Sequence, residues 1–271
     1  MRKFNRIFTI LVFFFLYIPM IVLAVASFNK GTDIAVFQGF TLNQYKELFR
    51  DDDLLRLLGN SLIIAVISSA VATVLGTIAS VGIHSMRGRL RSAVMGLTNI
   101  PMTNPDIVTG VSLALLFAFV GILLRINSVL GFWTLLIAHI TFSLPYIILN
   151  VMPKLSQMDP DLTEAALDLG CTPVQAFFKV VLHEIMPGVI SGALMAFTMS
   201  LDDFVISYFV TGSGFVTLPV EIYSYTKKPI QPKVYAMFTL MFVAILLLMV
   251  TMNLLQARDT SRKLRRKEAH R

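Results

Sequence analysis

Three aspartates interrupt stretches that are otherwise apolar: Asp106 in NPDIVTGVSLALLF, and Asp202 with Asp203 in FTMSLDDFVISYFVTG. A carboxylate at the centre of a bilayer costs about 2.5–3.5 kcal/mol on insertion scales, so such a group normally faces a cavity or a partner. Three of them suit the passage of a cation. On a continuous helix Asp202 and Asp203 project about 100° apart, which places one on a path and the other against a neighbouring helix. Hydrogen bonding within a helix bundle is the competing role for this pair. Asp106 follows Asn104-Pro105, where the missing proline amide breaks the helical ladder. It serves either the path or the start of the resumed helix, where the dipole favours an acid. Aromatic faces at Trp133, Tyr208, Tyr223 and Tyr225 would add cation–π contact, although Trp and Tyr also mark membrane interfaces. Glu221 has two open readings: meeting an incoming cation at the outer end of the path, or pairing with Lys227 or Lys228.

A second constellation is LTEAALDLGCTPVQAFFKVVLHEIMPG, residues 162–188. Asp159-Pro160 is a helix start, with a capping aspartate and proline at the first helical position. Leu162, Ala165, Ala166 and Leu169 follow at helical spacing, and Gly170 stands where a left-handed C-cap is wanted. Thr172-Pro173-Val174-Gln175 restarts with a T-x-x-Q capping box. Val174, Phe177, Phe178, Val181 and Ile185 then mark an expected buried stripe ending at Pro187-Gly188. The result is a helix-turn-helix elbow. Plain re-entry of the chain into the next span, DNA binding and docking of another protein compete for it. Asp161, Glu164 and Asp168 would repel phosphate, and the capping signals exceed what a simple connection needs. Docking on a small, alanine-rich tip is preferred.

The elements that must position these groups are membrane spans. Of 271 residues 56% are hydrophobic and 14% charged, at a mean hydropathy of +0.75, which is the composition of a polytopic membrane protein. Six stretches reach the roughly 20 apolar residues of a spanning helix, near 7–28, 60–83, 94–122, 130–152, 189–211 and 233–256. Lys and Arg resist translocation. They are nearly twice as frequent in the N-terminus, the 87–91 and 154–179 segments and the tail as in the alternate loops. Both termini and the elbow are therefore expected in the cytoplasm, and the basic tail 257–271 reads as a topology anchor in contact with anionic lipid. The first apolar run ends in Ala24-Val25-Ala26, an A-x-A cleavage pattern, but its length favours a retained helix over a signal peptide. Segment 29–59 is an external loop in which Leu42, Tyr45, Leu48 and Phe49, behind a Thr41 cap, suggest an amphipathic surface helix. A core of five further spans then occupies 60–256, with the cytoplasmic loop at 153–188.

Catalytic chemistry is poorly represented. There is no G-x-x-x-x-G-K-[ST] loop, the four histidines form no metal-ligand pattern, and the single Cys171 lacks a partner thiol. Ser112 and His139 on neighbouring spans allow an intramembrane hydrolase to be drawn, but small span residues more often serve helix packing. A stand-alone channel or secondary transporter would need no docking elbow.

The elbow carries a resemblance. Glu164-Ala165-Ala166, three residues, Gly170, nine residues, Val180, one residue and Leu182 resemble the E-A-A…G…I-x-L-P loop of bacterial ABC importer permeases, with His183 in place of the proline. Together with YIPMIVLAVASFN, NPDIVTGVSLALLF, GFWTLLIAHITFSLPYIILNV and FTMSLDDFVISYFVTG, the chain resembles type I, binding-protein-dependent permeases, specifically the second permease of spermidine/putrescine importers. The resemblance implies an all-α fold of six transmembrane helices in a bacterial inner membrane. It also implies a second permease, two copies of an ATPase that bind ATP and magnesium, and an external polyamine-binding protein. Glu164, Ala165, Ala166, Asp168, Gly170 and Thr172 would form the coupling tip seated in the ATPase. Relatives in the same superfamily move sulfate, ferric ion, phosphonates or sugars.

Overall fold

The computed structural model describes residues 2–31, 36–126, 129–212, 214–225, 232–247 and 249–250, with side chains from Arg6 onward. Regular structure among them is helical, apart from two isolated antiparallel bridges, Asn29 with Phe40 and Gly212 with Phe215. The chain divides into two compact units, Met1–Arg56 with Tyr225–Arg271, and Leu57–Ser224.

In the first unit α1 (Arg2–Ser27) contains a 22-residue apolar stretch, Arg6–Ser27. The chain leaves it around Asn29, whose Oδ1 accepts the Gln38 N–H at 2.8 Å while its Nδ2 donates to the Val36 carbonyl at 2.8 Å. The amphipathic helix expected in the following loop is α2 (Asn43–Leu48), preceded by a Thr41 hydroxyl that accepts the Asn43 N–H. Its burial differs from the expectation: Leu48 is buried, as is Gln44, while Leu42 and Phe49 are exposed. Asp51 then caps the next helix, accepting the Leu54 N–H at 3.1 Å on Oδ1 and Lys233 Nζ at 2.6 Å on Oδ2. This cap starts α3 (Asp52–His84) at Asp52, well before the expected boundary at 60. Lys233 belongs to α12 (Pro232–Leu247), a shorter apolar helix. The basic tail, Lys227 and Lys228 lie outside the described residues.

The second unit is built from most of α3, then α4 (Gly88–Thr103), α5 (Asp106–Leu124), α6 (Phe132–Gln157), α7 (Asp161–Asp168), α8 (Pro173–Ala176), a π-helical turn at Phe177–Val181, α9 (Leu182–Asp202), α10 (Val205–Val210) and the start of α11 (Leu218–Tyr225). Its centre is α6 against α9. Gly188, Gly192, Ala196 and Ser200 recur every four residues on one face of α9, and all four are buried. A Cβ at Gly188 would stand 2.7 Å from the Asn150 carbonyl oxygen, and one at Gly192 3.1 Å from Ile147 Cα. Hydrocarbon supplies no hydrophobic drive between spans, so this close backbone approach and the dispersion it allows hold the pair together. Ile147, Val151, Ile185 and Ala196 are fully buried around the seam.

Among the described residues five helical segments are long and apolar enough to cross a membrane: Arg6–Ser27, Asp52–His84, Asp106–Leu124, Phe132–Gln157 and Pro173–Asp202, with α12 as a shorter sixth. Two of the expected spans are corrected. The stretch 94–122 is not one helix, because Pro105 pushes Asn104 out of the helical region (φ −74°, ψ 142°) and separates α4 from α5. The span expected at 189–211 instead runs Pro173–Asp202. It ends where Asp203 turns extended (φ −64°, ψ 119°), and α10 is a separate short helix.

Candidate functional site

The three span aspartates meet. Asp106 at the first turn of α5, Asp202 at the last residue of α9 and Asp203 in the following link all line one cavity of about 420 Å³. The two helix breaks bring them there. Pro105 starts α5 at Asp106 and the extended Asp203 ends α9, so each acid stands at a helix end facing the same space. The remaining wall comes from Pro101 of α4, Thr109 and Leu113 of α5, Thr141, Phe142 and Tyr146 of α6, Met199 of α9, and Phe204, Val205 and Ile206.

The acids differ in their partners. Asp203, whose side chain is 10% exposed, accepts the Ile206 N–H at 3.3 Å on Oδ1 and both the N–H and the hydroxyl of Ser207 at 2.7 Å on Oδ2. It thereby caps α10, whose first amides would otherwise lack acceptors. Asp202 is exposed, and its carboxylate meets the N–H of its own backbone. Asp106 is exposed too, and no side chain caps the start of α5. The pair 202/203 is thus separated by function within the backbone rather than by an angle around one continuous helix.

The aromatic residues singled out from the sequence stand elsewhere. Trp133 is 71% exposed on the first turn of α6, edge-on to Phe132, and does not line the cavity. Tyr208 and Tyr223 lie one ring removed from it: both pack on Phe204, at centroid distances of 5.6 and 4.6 Å, and Phe204 is a wall residue. Tyr225 closes α11 and is half-buried. Glu221 sits on α11 and accepts the Ser224 hydroxyl at 3.0 Å, away from the cavity lining. The ring that sequence reasoning missed is Tyr146, which lines the cavity next to Pro145 in mid-span. Its position far from either end of α6, unlike an interfacial tyrosine, is the signal that would have found it. The Ser112–His139 pairing is not formed: Ser112 is exposed on α5, while His139 is fully buried between Ser200 and Ser207.

The elbow follows its local code closely. Asp159 Oδ1 accepts the Asp161 N–H at 3.1 Å and opens α7. Gly170 adopts φ +83°, its N–H donating to the Leu167 carbonyl at 2.9 Å and the Cys171 N–H to the Ala166 carbonyl at 3.1 Å. These two bonds form a Schellman termination, which a residue with a Cβ reaches only under strain. Thr172 Oγ1 accepts the Gln175 N–H at 3.3 Å while the Thr172 N–H donates to Gln175 Oε1 at 3.1 Å, closing the capping box. Two expectations fail. The second helix does not stop at Pro187-Gly188 but continues into the span, with a π turn in which the Leu182 N–H reaches the Phe177 carbonyl. Nor is the stripe uniformly buried: Val181 and Ile185 face the core, but Val174 and Phe178 are 65% and 62% exposed, and Leu169 of the first helix is 86% exposed. Glu164, Ala165, Asp168, Gly170 and Thr172 are exposed beside them, and Ala166 is buried. The tip thus exposes apolar Leu169, Val174 and Phe178 together with the acids Glu164 and Asp168.

Comparison with known proteins agrees with this architecture. The chain is 40% identical over 252 residues to the spermidine/putrescine transport system permease protein PotC of Haemophilus influenzae, covering 93% of this chain and 96% of the relative. It is 39% identical over 235 residues to the putrescine transport system permease protein PotI of Escherichia coli K12, covering 86% and 83%. Among solved structures, a bacterial ABC transporter involved in the import of the acidic polysaccharide alginate superposes with a TM-score of 0.74 at 14% identity, covering 94% of this chain and 95% of that one. The MetNI methionine ABC transporter does so with a TM-score of 0.59 at 19% identity, covering 82% and 99%. Residues 72–262 match the family described as binding-protein-dependent transport system inner membrane component, and the chain belongs to that family.

Proposed function

We propose that this chain is a membrane-spanning permease subunit of an ATP-driven polyamine importer. The observation that carries the reading is the convergence of Asp106, Asp202 and Asp203 on one cavity between helix ends. A polyamine is a flexible polycation with several separated ammonium groups. Carboxylates on different elements can hold successive ammoniums, and Tyr146, Phe142 and Phe204 offer ring faces for cation–π contact between them. The relatives named for spermidine and putrescine transport support the same substrate class.

The elbow supplies the coupling surface in this reading. Leu169, Val174 and Phe178 are exposed on a tip fixed by the Gly170 termination and the Thr172 capping box, an arrangement suited to an apolar groove on an ATPase. The chain holds no phosphate-binding loop, so ATP and magnesium belong to that partner, present in two copies. A second permease would complete the path, and an external binding protein would deliver the polyamine. The charge distribution orients both termini and the elbow toward the cytoplasm.

The test is deletion of this chain from its native cell followed by uptake of radiolabelled putrescine, spermidine, sulfate and a neutral sugar. Loss of ATP-dependent polyamine uptake alone, restored by the intact chain, is expected. Unchanged polyamine uptake with loss of the sulfate or sugar would contradict the reading.

A further inference from the structure

Behind the cavity wall a line of polar side chains runs through the core of the second unit. His139 of α6 is fully buried, its Nδ1 2.6 Å from Ser200 Oγ of α9 and its Nε2 3.0 Å from Ser207 Oγ of α10. Ser200 Oγ lies 3.0 Å from Ser68 Oγ of α3, and the Ser207 hydroxyl donates to Asp203 Oδ2 at 2.7 Å. Four helices therefore meet in one hydrogen-bonded chain that ends on a carboxylate of the cavity. Buried polar groups of this kind are costly unless each donor finds an acceptor.

Counting protons fixes the direction of the chain. A serine hydroxyl has one proton and a neutral imidazole one N–H. With Asp203 Oδ2 unprotonated, Ser207 gives its proton to that oxygen, so toward His139 its own oxygen can only accept, and the ring proton sits on Nε2. Nδ1 is then bare and accepts from Ser200, which in turn accepts from Ser68. A second ring proton on Nδ1 would reverse Ser200 and Ser68, leaving the Ser68 hydroxyl only the Ala65 carbonyl at 3.5 Å.

We infer that His139 is a positioning residue for the cavity: a neutral imidazole protonated on Nε2 that holds the Ser207 hydroxyl on Asp203 and ties α9 to α10 across the break between them. One rigid ring supplies an acceptor toward Ser200 before the break and a donor toward Ser207 after it. Asp203 is left with one Oδ1 position uncommitted, while Asp202 lines the cavity from the exposed end of α9. The functional half of this inference rests on the polyamine-path reading; the tautomer does not.

The tautomer is read by 15N NMR of histidine-labelled chain in the reconstituted transporter, with His84, His183 and His270 replaced by glutamine so that one ring remains. A single N–H on Nε2 with a hydrogen-bonded, bare Nδ1 is expected; a proton on Nδ1, alone or with Nε2, overturns the inference. Uptake supplies the second readout. His139→Leu should lower uptake at sub-saturating polyamine about tenfold, the worth of one net buried hydrogen bond, while in an Asp203→Asn background the same change should cost less than about twofold. His139→Gln, which keeps a donor toward Ser207, should recover uptake to within about threefold of the parent. Equal losses from His139→Leu in both backgrounds, or no recovery with His139→Gln, would make His139 a packing residue only. Normal uptake by Asp202→Asn, by Asp203→Asn and by the double variant would instead sink the path reading itself.

Discussion

Asp203 and Ser207 are joined twice: the backbone N–H and the hydroxyl of Ser207 both reach Asp203 Oδ2 at 2.7 Å. Asp203 is therefore a structural cap and a cavity wall at once, whereas Asp202 beside it faces the cavity with no such partner. The two acids should respond differently to the same substitution. Asp203→Asn leaves one acceptor oxygen for the three donors that Asp203 now takes up and should lower the thermal unfolding midpoint in detergent by the equivalent of about 1 kcal/mol. Asp202→Asn should leave the midpoint within error of the parent. Equal destabilisation by both would remove the distinction.

The elbow gives a prediction about coupling. Gly170 at φ +83° cannot be replaced by proline, whose ring fixes φ near −65° and removes the N–H now bonded to Leu167. Valine there would cost about 1–2 kcal/mol of local strain. In proteoliposomes holding the whole complex, Gly170→Val and Gly170→Pro should keep ATP hydrolysis measurable while polyamine uptake falls severalfold. Parental uptake in both would mean that the tip does not couple.

The seam between α6 and α9 can be tested by adding single methyl groups. Gly188→Ala would place a Cβ 2.7 Å from the Asn150 carbonyl oxygen, and backbone cannot yield as a side-chain tip does. Overpacking of this kind costs about 1–3 kcal/mol. Gly82→Ala on α3 meets nothing within 4 Å and gains helix propensity of about 0.5–1 kcal/mol. Unfolding in detergent should show opposite shifts, down for Gly188→Ala and up for Gly82→Ala.

Acid should weaken the first unit through Asp51. The Lys233 ammonium bonded to its carboxylate, outweighing partial burial, holds the Asp51 carboxyl below its ordinary 3.8. A carboxyl with a depressed folded value contributes stability that is fully present above its unfolded value and is lost as pH falls through the folded value. The pair is 27% and 19% exposed, so solvent screens it and the contribution is modest. Lys233→Met should lower the unfolding midpoint at neutral pH, and the difference from the parent should close as pH drops below 3.8. A difference that persists in acid would point to lost packing by the lysine stem.

What could be read from the chain follows the range of the interactions. The Asp159–Asp161 bond, the Gly170 termination and the Thr172–Gln175 box act over a few residues; the last two formed where their residue types stand, while α7 starts one residue later than expected, with Pro160 as its N-cap. Asp106, Asp202 and Asp203 could be singled out because a carboxylate in an apolar span needs a reason to be there. The bond from His139 to Ser200 joins residues 61 apart in sequence and that from Ser68 to Ser200 residues 132 apart, and no local pattern encodes such a meeting. The end of α9 at Asp203 was hidden for a related reason. Hydropathy continues smoothly through FVISYFV, and only the side-chain bonds from Asp203 to the next turn set α10 apart as a separate helix. The exposure of Val174 and Phe178 was equally invisible, since helical periodicity marks an apolar face but does not say what covers it.

The central claim is that the carboxylates on the shared cavity carry a polycation. It is tested most directly by ATP-driven uptake of radiolabelled spermidine and putrescine into proteoliposomes containing the full complex with Asp202→Asn, Asp203→Asn or both. Subunits co-purified in parental ratio would show that assembly is intact. The account predicts reduced uptake in each single variant and a greater loss in the double. Parental uptake in all three would contradict it.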